Sequence, residues 1–320
     1  MTLSLEYALT HLSSLNREED QKLKLKAGFL NPGYWVIVAA LAKQKKYTAS
    51  NIVFHNDYQE RYASAIALHE NLVDSEVYTK HRMGKGRAYS PLTQLRSKHD
   101  VNMASSMING SIRHQCGEIT GHPGVVGLCN IVGELHDNVW SHGQSTGFSL
   151  SQAYQGQIEF ALADMGLGLK GEMARTGIKI ASDKDAIDWC MLRGNSTKLN
   201  NRETDEWSQR VPDDLIGRSP FGDNISTFDS ENNHQGLGLA KLKELVMKYN
   251  GHLVIASGNS LYSYNNYSST ARNNYTNLND YWQGVAISCK FRIRDLKRIE
   301  ADNETSEVAA IIDILGGGDL

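Results

Sequence analysis

The chain has 320 residues, enough for one large domain or two modest ones, with the 40% hydrophobic and 22% charged content of an ordinary globular protein. Its net charge of −3 gives no global basic field, so no nucleic-acid partner is expected beyond what a local patch would hold. The longest apolar run, residues 34–42 (YWVIVAALA), is too short to cross a bilayer, and the N-terminus lacks the apolar core of a signal peptide. A soluble, cytoplasmic protein without membrane contact is therefore expected. Cys116, Cys129, Cys190 and Cys289 show neither CxxC nor Cys–His metal spacing, which predicts buried, reduced thiols.

Residues 1–100 alternate strand-like and helix-like segments, as a small α/β unit does. YWVIVAALAKQ reads as a helix after the turn Asn31-Pro32-Gly33, NIVFHND as a short strand, and ERYASAIALHENL as an amphipathic helix. Residues 80–91 (KHRMGKGRAYSP) are basic and broken by Gly and Pro, which predicts a solvated loop; no GxxxxGK[ST] phosphate loop is present. Helices follow over 101–116 and 124–142. QIEFALA (157–163) alternates Ile158, Phe160 and Leu162 as a strand does. A helix over 183–193 opens on Ser182 as N-cap with Asp185 three residues on. Residues 194–235 are polar and predict a long loop. In LGLAKLKELVMKY, Leu239, Leu242, Leu245, Val246 and Tyr249 form one stripe ended by Asn250-Gly251. HLVIAS and GVAISCKFRI read as strands, and the Asn- and Tyr-rich stretch 258–282 between them as an extended, mobile hairpin loop or a protein contact.

Three segments carry chemistry. In GVVGLCNIVGELHDNVWSHG, Leu128, Ile131, Val132, Leu135 and Val139 form a core stripe, and Glu134, Asn138 and His142 stack beside it at four-residue spacing. That second stripe is either a solvated face or a site in which Asn138 offers a carbonyl oxygen to Mg²⁺ and Glu134, one turn back, orients or deprotonates an attacking group. In ALADMGLGL, Asp164 ends a strand and is followed by Gly166 and Gly168. A carboxylate there can accept from an exocyclic amine such as that of adenine, and the glycines let backbone approach a flat ring; a lone DxGxG can equally be a turn. In HQGLGLAKLKELV, Gly236 and Gly238 precede a helix whose free N–H groups suit an anion.

In this order the three segments resemble the GHKL superfamily of ATPases and kinases, the gyrase- and histidine-kinase-like group. Glu134-x-x-x-Asn138 looks like its N-box, Asp164-x-Gly166-x-Gly168 like its G1 box, and Gly236-Leu237-Gly238-Leu239 like its G2 box. The spacing to His142-Gly143 is most similar to anti-sigma-factor kinases and histidine-kinase ATPase domains. The resemblance implies a Bergerat-type ATP-binding fold over 101–295: a two-layer α/β sandwich of a mixed sheet and helices, with a lid over 169–235 and a C-terminal tail over 296–320. It also implies Mg²⁺ at Asn138, adenine at Asp164, phosphates at Gly236 and Gly238, His142, Leu237 and Leu239 beside the nucleotide, and Thr197 and Lys198 in the lid. The N-terminal unit is similar, weakly, to the STAS-like segments that accompany such modules, and no residues carry over.

No dimerisation hairpin with a phosphoacceptor histidine precedes the module, which argues against an autophosphorylating sensor kinase, while a homodimer remains open. The expected function is a Mg²⁺-dependent ATP-binding protein acting as a protein kinase or ATP-hydrolysing regulator on a protein partner or substrate, with Glu134 as the catalytic residue. The alternative is a nucleotide-gated interaction module with little or no turnover. A role in stress or phage defence is invisible in the residues.

Overall fold

The computed structural model describes residues 2–17, 20–73, 88–140, 145–193, 195, 238–267 and 272–297. The N-terminal region runs β1 (Thr2–Leu3), α1 (Leu5–Thr10), α2 (Leu12–Leu15), β2 (Asn16–Arg17), β3 (Lys22–Lys24), β4 (Phe29–Leu30), α3 (Pro32–Gln44), β5 (Ile52–Val53), α4 (Asp57–Ala65) and α5 (Leu68–Leu72). The expected helix after Asn31 is α3. Pro32 occupies its first turn, where a missing N–H costs nothing, and Pro32 to Ala42 are buried all round. The single helix expected over 60–72 is split into α4 and α5, because Ala67 between them takes a left-handed φ of 67°. Of the expected 80–91 loop, residues 80–87 lie outside the described residues, and Tyr89 bridges to Gln152.

The chain continues through β6 (Thr93–Leu95), α6 (Lys98–Cys116), α7 (Pro123–Asn138), β7 (Gly147–Tyr154), β8 (Gln157–Asp164), α8 (Gly168–Arg175), α9 (Asp183–Cys190), α10 (Gly238–Lys248), β9 (His252–Asn265) and β10 (Arg272–Arg292). Local chemistry sets the helix starts: Ser97 Oγ accepts from the Asp100 amide at 3.2 Å, and Ser182 Oγ from the Asp185 amide at 3.1 Å. The expected stop at Asn250-Gly251 is present, with Asn250 at φ 50°.

These strands form one sheet in the order β6-β7-β8-β10-β9. Every neighbouring pair is antiparallel, which corrects the expected mixed sheet. The reason is topological. β8 and β9 run the same way, but the β9–β10 hairpin inserts β10 between them, so the parallel pair never forms. The molecule is thus a mixed α/β protein built on an antiparallel five-stranded sheet.

The alternation of β8 distributes the core. Ile158, Phe160 and Leu162 join α6, α7 and α10 in one apolar cluster, where Leu128, Ile131, Val132, Leu135 and Val139 are all buried. Ala161 and Ala163, with Phe148, Leu150, Val254 and Ala256, face the other way into a cluster shared with α3 and the rest of the N-terminal region. Glu159 sits on that second face, buried, and accepts from Gly33 N at 3.1 Å, Asn31 Nδ2 at 3.0 Å and Ser288 Oγ at 3.0 Å. A carboxylate at the first turn of α3 meets the positive end of the helix dipole, so Glu159 fastens α3 to the sheet. Burial still pushes its carboxyl up, against the opposing pull of Lys290 and these donors.

The expected mobile loop over 258–282 is a second correction. β9 and β10 run on as a hairpin far beyond the predicted strands, paired from Ser257–Val285 out to Asn265–Arg272, with register shifts around Trp282. Its aromatic residues are structural: Tyr262, Tyr264 and Trp282 are buried. Alternation is broken by those shifts, which is why no strand period appears in the sequence. Cys116, Cys129 and Cys289 are buried, Cys190 is half-buried, and all four thiols are free. Among the described residues no helix is long and apolar enough to cross a membrane.

Candidate functional site

Asn138 is the last residue of α7, and Glu134 lies one turn before it. The start of α10 comes against them: a Cβ on Gly238 would stand 3.4 Å from Asn138 Nδ2 and 3.6 Å from Glu134 Oε2. Glu134 is engaged by a group the sequence reading passed over, because Lys241 Nζ lies 2.5 Å from Glu134 Oε1. His136, between the two on the chain, faces the core instead. It is fully buried, with Nδ1 2.9 Å from Ser105 Oγ, and burial pulls its imidazole down to about 3, so it stays neutral.

Asp164 ends β8 and is 5% exposed. Gly166 N donates to Asp164 Oδ1 at 2.8 Å, and the Val285 amide also donates to the carboxylate. Burial outweighs both donors and pushes the carboxyl up to about 6. No cation among the described residues offsets its charge. A carboxylate has about four lone-pair sites, so acceptor capacity remains for a ligand.

Two glycines make this corner possible. Gly284 has φ 101°, and a Cβ there would come within 2.2 Å of Asp164 O and 2.7 Å of Asp164 Oδ1. Gly168, the first residue of α8, has φ 71°, and its Cβ would meet Ser257 Oγ at 2.9 Å. Ser257 braces the turn, accepting from Leu169 N at 3.0 Å and donating to Gly284 O at 3.0 Å.

Asn138, Asp164, Gly168, Gly238 and Leu239 line one cavity, closed by the apolar side chains of Leu135, Leu162, Met173, Trp189 and Ile287. Gly166 supports it through Asp164. Glu134 lies outside the cavity lining, past Gly238 on the side of Lys241. His142, Thr197, Lys198, Gly236 and Leu237 lie outside the described residues, as do 194 and 196–235 of the expected lid and the chain from 298 on.

Several wall residues were missed. Trp189 and Asn195 come from the α9 segment, and Asn195 Nδ2 donates to Trp189 O at 2.9 Å. Glu172 lines the cavity while held by Arg175 at 2.7 Å. α9 is itself moored to the hairpin: Tyr275 donates to Asp188, Asn259 N donates to Asp183 Oδ2 at 3.1 Å, and Lys184 Nζ lies 4.8 Å above the Tyr275 ring. The one local signal for Glu172 and Trp189 was their place in an expected lid. Ser257 and Gly284 gave none, since both act across 80 or more residues of sequence.

Comparison with family models, curated proteins and solved structures finds no match.

Proposed function

We propose that this protein binds Mg²⁺·ATP in the manner of the GHKL ATPases and acts as a protein kinase or ATP-hydrolysing regulator of a partner protein. The observation that carries the reading is the buried carboxylate of Asp164, met by two backbone amides and by no cation among the described residues, in an apolar cavity that Asn138 and Gly238 also line. A buried carboxylate with spare acceptor capacity calls for further hydrogen-bond donors, and the adenine amine is one. The packing of α6, α7 and α10 on one face of the sheet is what supports a Bergerat-type sandwich, with α3 of the N-terminal region covering the other face as an added layer.

Asn138 is the residue that would hold the metal. Asn138 would offer a single carbonyl oxygen, so a Mg²⁺ held there would take most of its ligands from phosphate and water. When bound, Mg²⁺ would neutralise phosphate charge. Trp189, Met173 and Ile287 exclude water from the base, and the N–H groups opening α10 offer donors to phosphate. Glu134, once free, orients the acceptor hydroxyl or water.

The Lys241–Glu134 pair favours a second reading, a nucleotide-gated interaction module with little turnover, because Lys241 occupies a carboxylate oxygen that would otherwise face the attacking group. Titration of ATP and GTP against wild type and Asp164→Ala tests the binding assignment. Guanine presents an acceptor where adenine presents the amine, so ATP should be favoured by roughly tenfold to a hundredfold. Asp164→Ala should narrow that ratio; an unchanged ratio in a folded variant removes the adenine assignment. Turnover by wild type that Glu134→Gln abolishes selects the enzyme over the gated module.

A further inference from the structure

We infer that Lys241 is a phosphate-sensing residue, which holds Glu134 while the site is empty and releases it when a nucleotide triphosphate draws the ammonium away. The inference rests on the nucleotide reading above and adds to it a residue outside the three motifs.

Lys241 lies three residues after Gly238, so both belong to the face of α10 that meets α7. Gly238 stands over Asn138 and Glu134, and Lys241 Nζ is on Glu134 Oε1 at 2.5 Å. Asp164, Asn138 and Gly238 line one cavity, and Gly238 is also the neighbour of Glu134, so in the nucleotide reading a phosphate chain running from Asp164 past Asn138 would approach this pair. The Glu134 side chain is 19% exposed and that of Lys241 41% exposed, so the ammonium keeps access to an arriving anion. Lysine is suited to that exchange: a point charge on a flexible four-carbon stem can change partners without refolding its helix. Even with Mg²⁺ bound a triphosphate keeps about two negative charges against the single charge of Glu134, so Coulombic preference favours transfer of the ammonium to it.

The pair is also the inner end of a charge array. Glu244, one turn further along α10, is held by Arg193 and lies within the field of Lys241; together these hold its carboxyl below the usual range. Arg193 stands just after α9, within the range expected for the lid. Glu134, Lys241, Glu244 and Arg193 thus alternate in sign from the candidate base to the end of the α9 segment. Lys241 acts on the chemistry through Glu134 and is a positioning residue.

The test is a double-mutant cycle of Lys241→Met and Glu134→Gln in the full chain, read by calorimetry with Mg²⁺·ATP and, separately, with adenosine. Lys241→Met should weaken ATP by roughly tenfold to a hundredfold, the worth of one charge-assisted hydrogen bond, and leave adenosine unchanged. Lys241→Arg should recover most of the loss. Glu134→Gln should tighten ATP binding several-fold, because it frees the ammonium, and that gain should vanish when Lys241 is Met. Equal losses for ATP and adenosine, no loss for ATP, or a Glu134→Gln gain that survives in the double variant would each overturn the inference and leave a plain interhelix ion pair. A wild type that binds neither ligand removes the nucleotide reading itself, an outcome distinct from these.

Discussion

Lowering the pH should release adenosine before it unfolds the protein. Asp164 is held at about 6 by burial, against an ordinary value of 3.8. In the proposed function the adenine amine is a donor and would bind the ionised carboxylate. At one pH unit below the midpoint only about one molecule in eleven has it ionised, so affinity falls about tenfold. Adenosine is the right probe, since ATP carries a phosphate that titrates in the same window. His136 and His252 are pulled down by burial to about 3 and about 4, so neither changes charge between pH 5 and 7.5. Calorimetric titration across that range should show a flat plateau above about pH 7 and a decade of loss by about pH 5. Asp164→Asn keeps an acceptor oxygen but cannot titrate, and its profile should be flat. A flat wild-type profile, or a slope that survives in Asp164→Asn, would refute the reasoning.

Without ligand the same shift predicts stability with the opposite slope. Because the folded carboxyl is raised above its unfolded value, its contribution is present below about pH 3.8 and lost as pH rises through about 6, to a total of about 3 kcal/mol. Asp164→Asn should therefore melt above wild type at pH 7.5, with the advantage gone near pH 4; no difference at pH 7.5 would mean the carboxylate is not desolvated. Gly284→Ala forces a methyl to within 2.2 Å of Asp164 O at a φ of 101°, and should lower stability by at least about 2 kcal/mol in chemical denaturation while abolishing adenosine binding. An unchanged midpoint would contradict the close approach. Tyr275→Phe removes the hydrogen bond to Asp188 and should cost about 1 kcal/mol, with faster amide exchange over Asp183–Cys190; unchanged exchange would mean the hairpin does not moor α9.

What was legible in the sequence divides along physical lines. The helices α7 and α10 and the strand β8 were readable because one periodicity governs each, and their predicted stripes are the buried ones; α3, buried all round, was readable from its unbroken apolar run after Pro32. Asp164, Asn138 and Gly238, each singled out by a short local spacing on its own element, are brought together in one cavity. The antiparallel order was not readable, because β10's position between β8 and β9 depends on a pairing over more than a hundred residues. The Asn- and Tyr-rich hairpin was misread for a related reason. Its strands lie beside one another through backbone bonds that any residue can make, and bulges around Trp282 scramble the alternation. Nothing in the sequence sets Lys241 apart on its amphipathic helix; only the approach of α10 to α7 shows that its partner is Glu134.

The central claim is that one site takes adenine at Asp164 and a metal-bound phosphate at Asn138. Calorimetry of ATP with and without Mg²⁺, on wild type and Asn138→Ala, tests it most directly. Wild type should bind ATP more tightly with Mg²⁺ by roughly tenfold or more, and Asn138→Ala should lose that dependence while still binding adenosine. Equal affinities in all four titrations, or no binding of ATP by wild type, would contradict it.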